Sequence, residues 1–126
     1  MPKIMVVDDE ESVCLLLRKL FEGEGYKVIT ETDPIKAIEL VKVDRPDCML
    51  LDIKMPRKEG VEVLACVKEF DKSIEVIMIT GYSSIENAME SMKLGAFDYI
   101  TKPFDLNFVK DLVKRSLSSE NKRGAM

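Results

Sequence analysis

Five side chains in this sequence could together handle a phosphoryl group: the carboxyls of Asp8, Asp9 and Asp52, the hydroxyl of Thr80 and the ammonium of Lys102. Each follows a short apolar or β-branched run: Val6-Val7 before the first two acids, Met49-Leu50-Leu51 before Asp52, Met78-Ile79 before Thr80 and Tyr99-Ile100-Thr101 before Lys102. If those runs are adjacent strands, the five groups meet at one edge. Three carboxylates there repel one another; two unit charges about 4 Å apart cost roughly 4 kcal/mol at an effective dielectric near 20. One lysine cannot offset three acids, so the cluster needs raised carboxyl pKa values or a divalent cation. Mg2+ suits an all-oxygen site with a few carboxylates, several waters and a phosphate oxygen. Capping of a following helix would use one of Asp8 and Asp9 and would leave Asp52 unexplained.

A carboxylate beside such a cation can attack phosphorus and form an acyl phosphate. Charge in that transition state spreads over three equatorial oxygens. Mg2+ would take one, Thr80 with nearby backbone N–H groups another, and Lys102 the third. Gly81, directly after Thr80, would leave the approach open.

Composition removes several other chemistries. The chain has no histidine, which excludes zinc-type sites and any Ser-His-Asp or Cys-His arrangement. No G-x-x-x-x-G-K loop occurs, so direct use of ATP is not expected. The net charge of −4, with acids and bases interspersed, argues against direct nucleic acid binding. Cys14, Cys48 and Cys66 lie in apolar stretches with no close-spaced pair and read as reduced, buried core thiols. No apolar run approaches the roughly 20 residues of a spanning helix. The N-terminus enters a strand without a signal-peptide pattern, so the expected location is the cytoplasm, with no membrane partner.

The elements that must position these groups alternate along the chain. Lys3–Val7, Lys27–Glu31, Asp47–Leu51, Glu75–Ile79 and Phe97–Thr101 read as strands, three of them almost continuously apolar, as strands covered on both faces are. Between them, Val13, Leu16, Leu17 and Leu20 follow a helical period that Gly23 and Gly25 end. Asp33-Pro34 reads as an N-cap followed by proline at the first helical position, opening a second helix through Ile38 and Val41. Val61, Leu64 and Ala65 mark a third helix. Ile85, Ala88, Met89 and Met92 mark a fourth, capped by Ser83 or Ser84, with its methionines in the core. Asp105 caps a fifth, whose inward residues are Val109, Leu112 and Val113. Five β-α units imply an α/β fold with a parallel, doubly wound sheet, and the length favours a single (βα)5 flavodoxin-like domain of strand order 2-1-3-4-5. Ligands of such a sheet bind at the carboxyl ends of strands 1 and 3, where the order reverses. The domain is expected over 1–118, with 119–126 a C-terminal tail or the start of a linker.

Over about Lys3 to Leu117 the sequence resembles response-regulator receiver domains of two-component signalling. The matching pieces are Val6–Glu10 (V-V-D-D-E), Leu50–Pro56 (L-L-D-I-K-M-P), Gly60, Ile79–Gly81 (I-T-G) and Asp98–Phe104 (D-Y-I-T-K-P-F). The stretch from Gly95 to Phe104 is most similar to receivers of NtrC-type transcriptional activators. The resemblance implies that Asp52 accepts the phosphoryl group. It implies that Asp9, Asp52 and the main-chain carbonyl of Lys54 bind Mg2+ directly, with Asp8 acting through a water. It makes Thr80 the switch hydroxyl, Tyr99 the switch aromatic and Lys102 the phosphate-pairing lysine, with a cis Lys102-Pro103 bond. The implied phosphodonor is a sensor histidine kinase, and the output is a homodimer formed on phosphorylation or a linked effector domain. Lys54 and Tyr82, two residues beyond Asp52 and Thr80, would sit at the rim and tune the access of water. Arg57-Lys58-Glu59 makes the loop after Met55-Pro56 more charged than in many receivers, which bears on partner choice.

Three other readings fit less well. A phosphohydrolase of the haloacid dehalogenase type needs a second acid two residues after its nucleophile, where this chain has Lys54. A flavodoxin-like FMN site would have to place phosphate against the acidic Asp8–Glu11 loop. A degenerate receiver serving only as a dimerisation module would not need the intact set Asp8, Asp9, Asp52, Thr80 and Lys102.

Overall fold

The computed structural model describes residues 2–81 and 85–125, with side chains through residue 118. Ten elements alternate: β1 Lys3–Val7, α1 Glu11–Gly23, β2 Lys27–Glu31, α2 Pro34–Asp44, β3 Cys48–Asp52, α3 Gly60–Phe70, β4 Glu75–Thr80, α4 Ile85–Lys93, β5 Asp98–Thr101 and α5 Leu106–Ala125. The strands form one parallel sheet in the order β2-β1-β3-β4-β5, the doubly wound arrangement expected from the sequence. β3 and β4 are buried along their whole length, which is why they read as continuous apolar runs.

Alternation along the strands sorts the core into two layers. Met5, Val7, Met49, Leu51 and Met78 face α2 and α3, where Ala37, Val41, Leu64 and Val67 meet them. Ile4, Val6, Leu50, Ile77 and Ile79 face α1 and α5, meeting Leu17, Phe21, Val109 and Leu112. Two of the three expected caps form: Asp33 Oδ1 accepts from the Ile35 N–H at 2.9 Å, and Asp105 Oδ1 from the Asn107 N–H at 2.8 Å. Gly25 and Gly95 follow α1 and α4 with φ of 92° and 102°, the left-handed conformation that glycine adopts freely. The Ser83 and Ser84 caps lie outside the described residues.

Several side chains point differently from expectation. Cys14 and Cys48 are buried thiols, but Cys66 is exposed. α3 buries Val63, Leu64 and Val67, so its core stripe lies on a different arc from Ala65 and Cys66, which the turn of the helix carries outward. On α1 the buried residues are Cys14, Leu17 and Phe21, and Leu16 is exposed. α4 differs most: it rests against α3 and β4, burying the small Ala88 and Ser91. Ile85, Met89 and Met92 are therefore outside the core, at 74%, 60% and 42% exposure. α5 continues as helix to Ala125, beyond the fading of its apolar period near Ser118.

Candidate functional site

Strand register brings the acids together. Val7 pairs with Leu51 across β1 and β3, so the next residues, Asp8 and Asp52, lie side by side. Asp52 pairs with Ile79, which puts Thr80 one step further along β4. Thr80 pairs with Thr101, and Lys102 follows directly. The Lys102 main-chain N–H also donates to the Thr80 carbonyl at 2.8 Å.

The resulting cluster is compact and partly buried. Asp8 is fully buried and Asp52 is 4% exposed, whereas Asp9 is open to solvent. One carboxylate oxygen from each of the three lies within 4.8 Å of the others. Lys102 Nζ is 3.1 Å from Asp8 Oδ2, 3.1 Å from Glu10 Oε1 and 3.6 Å from Asp52 Oδ2. The Asp8 Oδ1 atom accepts from the Glu10 N–H at 2.9 Å. Asp8 Oδ2 is buried and accepts no hydrogen bond, although it lies at ion-pair distance from Lys102.

Electrostatics follow from that geometry. Burial, then the charge of Asp8, push the Asp52 carboxyl up to about 7; Lys102 acts in the opposite direction and Asp9 adds to the rise. Burial likewise raises Asp8 above the usual carboxylate range, against the Glu10 N–H and Lys102. Burial alone would lower the Lys102 ammonium, but its contacts with Asp8, Asp52 and Glu10 outweigh that and its pKa is raised. A divalent cation fits this place on two grounds. Three carboxylates converge within ligand reach, and the buried Asp8 Oδ2 lacks a hydrogen-bond donor that a cation's water would provide.

Thr80 is buried at the end of β4, its Oγ1 donating to the Gly81 carbonyl at 2.8 Å. A Cβ at Gly81 would meet no heavy atom within 4 Å among the described residues. Tyr99 is 44% exposed on the β5 edge. The Lys54 side chain points to solvent, 3.9 Å from Glu59. Tyr82 lies outside the described residues. The Lys102-Pro103 bond is cis, as expected.

Two residues that enter the sequence reading only as parts of the resemblance gain a physical role in three dimensions. Glu10, read from the sequence as one more acid in a run, reaches Lys102 across the site. Gly60 backs onto the phosphoacceptor candidate: a Cβ there would overlap the Asp52 carbonyl oxygen and lie 2.8 Å from Ile53 Cα. Its N–H donates to the Ile53 carbonyl at 2.8 Å, holding the first turn of α3 against the chain just after Asp52.

Fold and site together define a CheY-like α/β domain with an acidic cluster at the topological switch point of its sheet. Residues 4–114 match the family model described as the response regulator receiver domain, and the chain belongs to that family. It is 38% identical to sporulation initiation phosphotransferase F of Bacillus subtilis, over 91% of this chain and 93% of that one. It is also 38% identical to the transcriptional regulatory protein ZraR of Klebsiella oxytoca over 91% of this chain, but there it spans only 26% of the relative. Among solved structures, a CheY-like receiver domain protein from Methanospirillum hungatei superposes with a TM-score of 0.94 at 29% identity, covering 98% of both chains. NtrX from Brucella abortus superposes with a TM-score of 0.93 at 29% identity, over 99% of this chain and 29% of that one. ZraR, AtoC and NtrX among the matches accord with the resemblance to receivers of NtrC-type activators. Among the described residues, no helix is long and apolar enough to cross a membrane.

Proposed function

We propose that this receiver domain is a phosphorylation switch that takes a phosphoryl group onto Asp52 from a phosphohistidine of a sensor histidine kinase. The observation that carries this reading is the convergence of Asp8, Asp9 and Asp52 within 4.8 Å, with Lys102 Nζ 3.6 Å from Asp52. An Asp52 carboxylate oxygen attacks phosphorus, the donor's P–N bond breaks, and its electron pair leaves with the imidazole. Hydrolysis by water then returns inorganic phosphate and the free carboxylate. Asp9, Asp52 and the main-chain carbonyl of Lys54 would hold Mg2+, with Asp8 acting through a water. The ion would supply charge neutralisation between carboxylates and phosphoryl oxygens. Lys102 pairs one phosphoryl oxygen, and the Thr80 hydroxyl donates to another. Lys54 and Tyr82 would tune the access of water to the acyl phosphate, and unchanged dephosphorylation in Lys54→Ala and Tyr82→Ala would remove them from that role.

The output follows from Thr80. To reach a phosphoryl oxygen, its hydroxyl gives up the Gly81 carbonyl it now bonds, and the exposed Tyr99 ring turns into the space released. The surface of α4, β5 and α5 changes with it. That surface already exposes Ile85, Met89, Met92 and Tyr99, an apolar set suited to binding a second copy or a linked effector domain. A differential of about 5.5 kcal/mol between the two forms moves the balance from 1:99 to 99:1. The relatives named as transcriptional regulatory proteins support transcription control as the setting, with nucleic acid bound by another domain.

The test is intact-protein mass after incubation with acetyl phosphate, with and without Mg2+, for wild type and Asp52→Asn. One Mg2+-dependent phosphoryl adduct, absent in the variant, is expected. No adduct with acetyl phosphate or a phosphorylated kinase domain would overturn the reading.

A further inference from the structure

We infer that Glu10 is a positioning residue that holds Lys102 away from full engagement with the phosphoryl site, so that the incoming group must compete for the ammonium. This rests on the reading of Asp52 as phosphoacceptor. Lys102 Nζ is as close to Glu10 Oε1 as to the buried Asp8 Oδ2, 3.1 Å each, and 3.6 Å from Asp52 Oδ2. Of the three carboxylates, Glu10 alone is solvent-exposed, with its side chain 59% accessible. Its backbone serves the site as well, since its N–H donates to Asp8 Oδ1 at 2.9 Å. The side chain makes no cap to α1, although Glu10 occupies the N-cap position, and the Lys102 contact is the ion pair it forms among the described residues.

The geometry gives Glu10 a distinct part. With a cation among Asp8, Asp9 and Asp52, the ammonium would be repelled and its contacts with Asp8 and Asp52 weakened, while Glu10, on the solvent side, would keep it. A phosphoryl oxygen on Asp52 then has to draw Lys102 back from Glu10 before the third equatorial charge is met. Glu10 thereby slows phosphorylation and loosens the hold of Lys102 on the product.

Three variants test this. Glu10→Gln removes the charge. Glu10→Asp keeps the charge but shortens the reach to Lys102. Glu11→Gln removes a neighbouring exposed charge that lies outside the site. The first measurement is the rate of acetyl phosphate labelling at saturating Mg2+. Both Glu10 variants should be faster than wild type by up to about fivefold, the size expected of one exposed ion pair, with Glu11→Gln unchanged. If Glu10→Asp behaves as wild type, or if Glu11→Gln accelerates as much as Glu10→Gln, the effect is a general field and the inference fails. Slower labelling in both Glu10 variants also overturns it. The second measurement is the rate of Lys102 acetylation by a small acylating reagent without Mg2+, read by peptide mass. It should rise in both Glu10 variants, and no rise would refute the contact in solution. If wild type takes no phosphoryl group, the proposed function fails while this second measurement still decides the Glu10–Lys102 contact.

Discussion

Lys102 is tied to Thr80 through its main-chain N–H, which donates to the Thr80 carbonyl at 2.8 Å. The two groups assigned to phosphoryl oxygens therefore share one rigid frame, the end of the β4–β5 ladder. Their side chains are held by contacts that can be exchanged, Lys102 by carboxylates and Thr80 by the Gly81 carbonyl, but their Cα positions are fixed relative to Asp52 by the pairing of β3 with β4. On the function proposed above, the response to phosphorylation would lie in rotamers and in the α4 surface, with the sheet unchanged.

Removing the lysine should expose how Lys102 and a cation compete. Lys102 Nζ is held by Asp8, Glu10 and Asp52, and a divalent ion would have to displace much of that contact. Lys102→Ala is expected to bind Mg2+ about three- to tenfold more tightly, since a point charge at this distance is worth on the order of 1 kcal/mol in a partly solvated site. The same variant should lose most phosphorylation by acetyl phosphate. Calorimetric titration of Mg2+ checks the first outcome, and unchanged or weaker binding would contradict it.

Asp52 sets a pH dependence of defined sign. Its carboxyl stands at about 7 in the folded protein against an ordinary 3.8. Between those values the metal-free fold keeps a proton that the unfolded chain has lost, so stability falls as pH rises from about 4 to about 7. Asp8, also raised, contributes with the same sign. Asp52→Asn should flatten the fall and stabilise the metal-free protein near neutral pH by on the order of 2 kcal/mol. Urea unfolding in EDTA across this range measures both. Stability that rises with pH in wild type and not in the variant would show that Asp52 is ionised throughout.

Adding the ion should reverse that slope. Mg2+ binds ionised carboxylates, so its stabilising effect should grow as pH rises through about 7. At a hundredfold excess over its dissociation constant a ligand of the folded state contributes about 2.7 kcal/mol. Melting temperature with Mg2+ and with EDTA, at pH 6 and pH 8, gives the comparison. Asp9→Asn should abolish most of the difference at pH 8. Equal shifts at both pH values, or none, would remove the acidic cluster as the ion's site.

Much of this site was legible in the chain because parallel strands of near-equal length put their carboxyl ends at one edge. Asp8, Asp52, Thr80 and Lys102 each follow an apolar run, and runs in the order 2-1-3-4-5 can only bring them together. The orientation of α4 was not legible. Its apolar residues suit a core stripe, yet packing against α3 and β4 selected the small Ala88 and Ser91, and Met89 and Met92 face solvent. Cys66 failed for the same reason, since a rich apolar run wraps more of α3 than the core can use. The reach of Glu10 to Lys102 spans 92 positions and depends on side-chain direction, which no local pattern encodes.

Gly60 gives the sharpest structural prediction, because its constraint is contact and not backbone freedom. A methyl group there would overlap the Asp52 carbonyl oxygen and press on Ile53, both buried. Neither can yield cheaply: the Ile53 N–H is bonded to the Ile79 carbonyl at 2.9 Å, and its carbonyl receives the Gly60 N–H at 2.8 Å. Gly60→Ala must therefore push the start of α3 away from β3 or shift the main chain that carries Asp52. We expect a loss of about 2–3 kcal/mol in chemical denaturation, the range for overpacking a closed interior. Phosphorylation should fall more than tenfold under conditions where the variant remains folded, because a displacement of about 1 Å in a reacting group can cost 10²-fold. Gly81→Ala is the matched control for stability: its added Cβ meets nothing within 4 Å among the described residues, so stability should change by less than about 1 kcal/mol. Unfolding curves of the two variants side by side, with acetyl phosphate labelling of Gly60→Ala against wild type, decide the matter. Equal stability losses would mean that the contact between Gly60 and Asp52 is not the constraint inferred here.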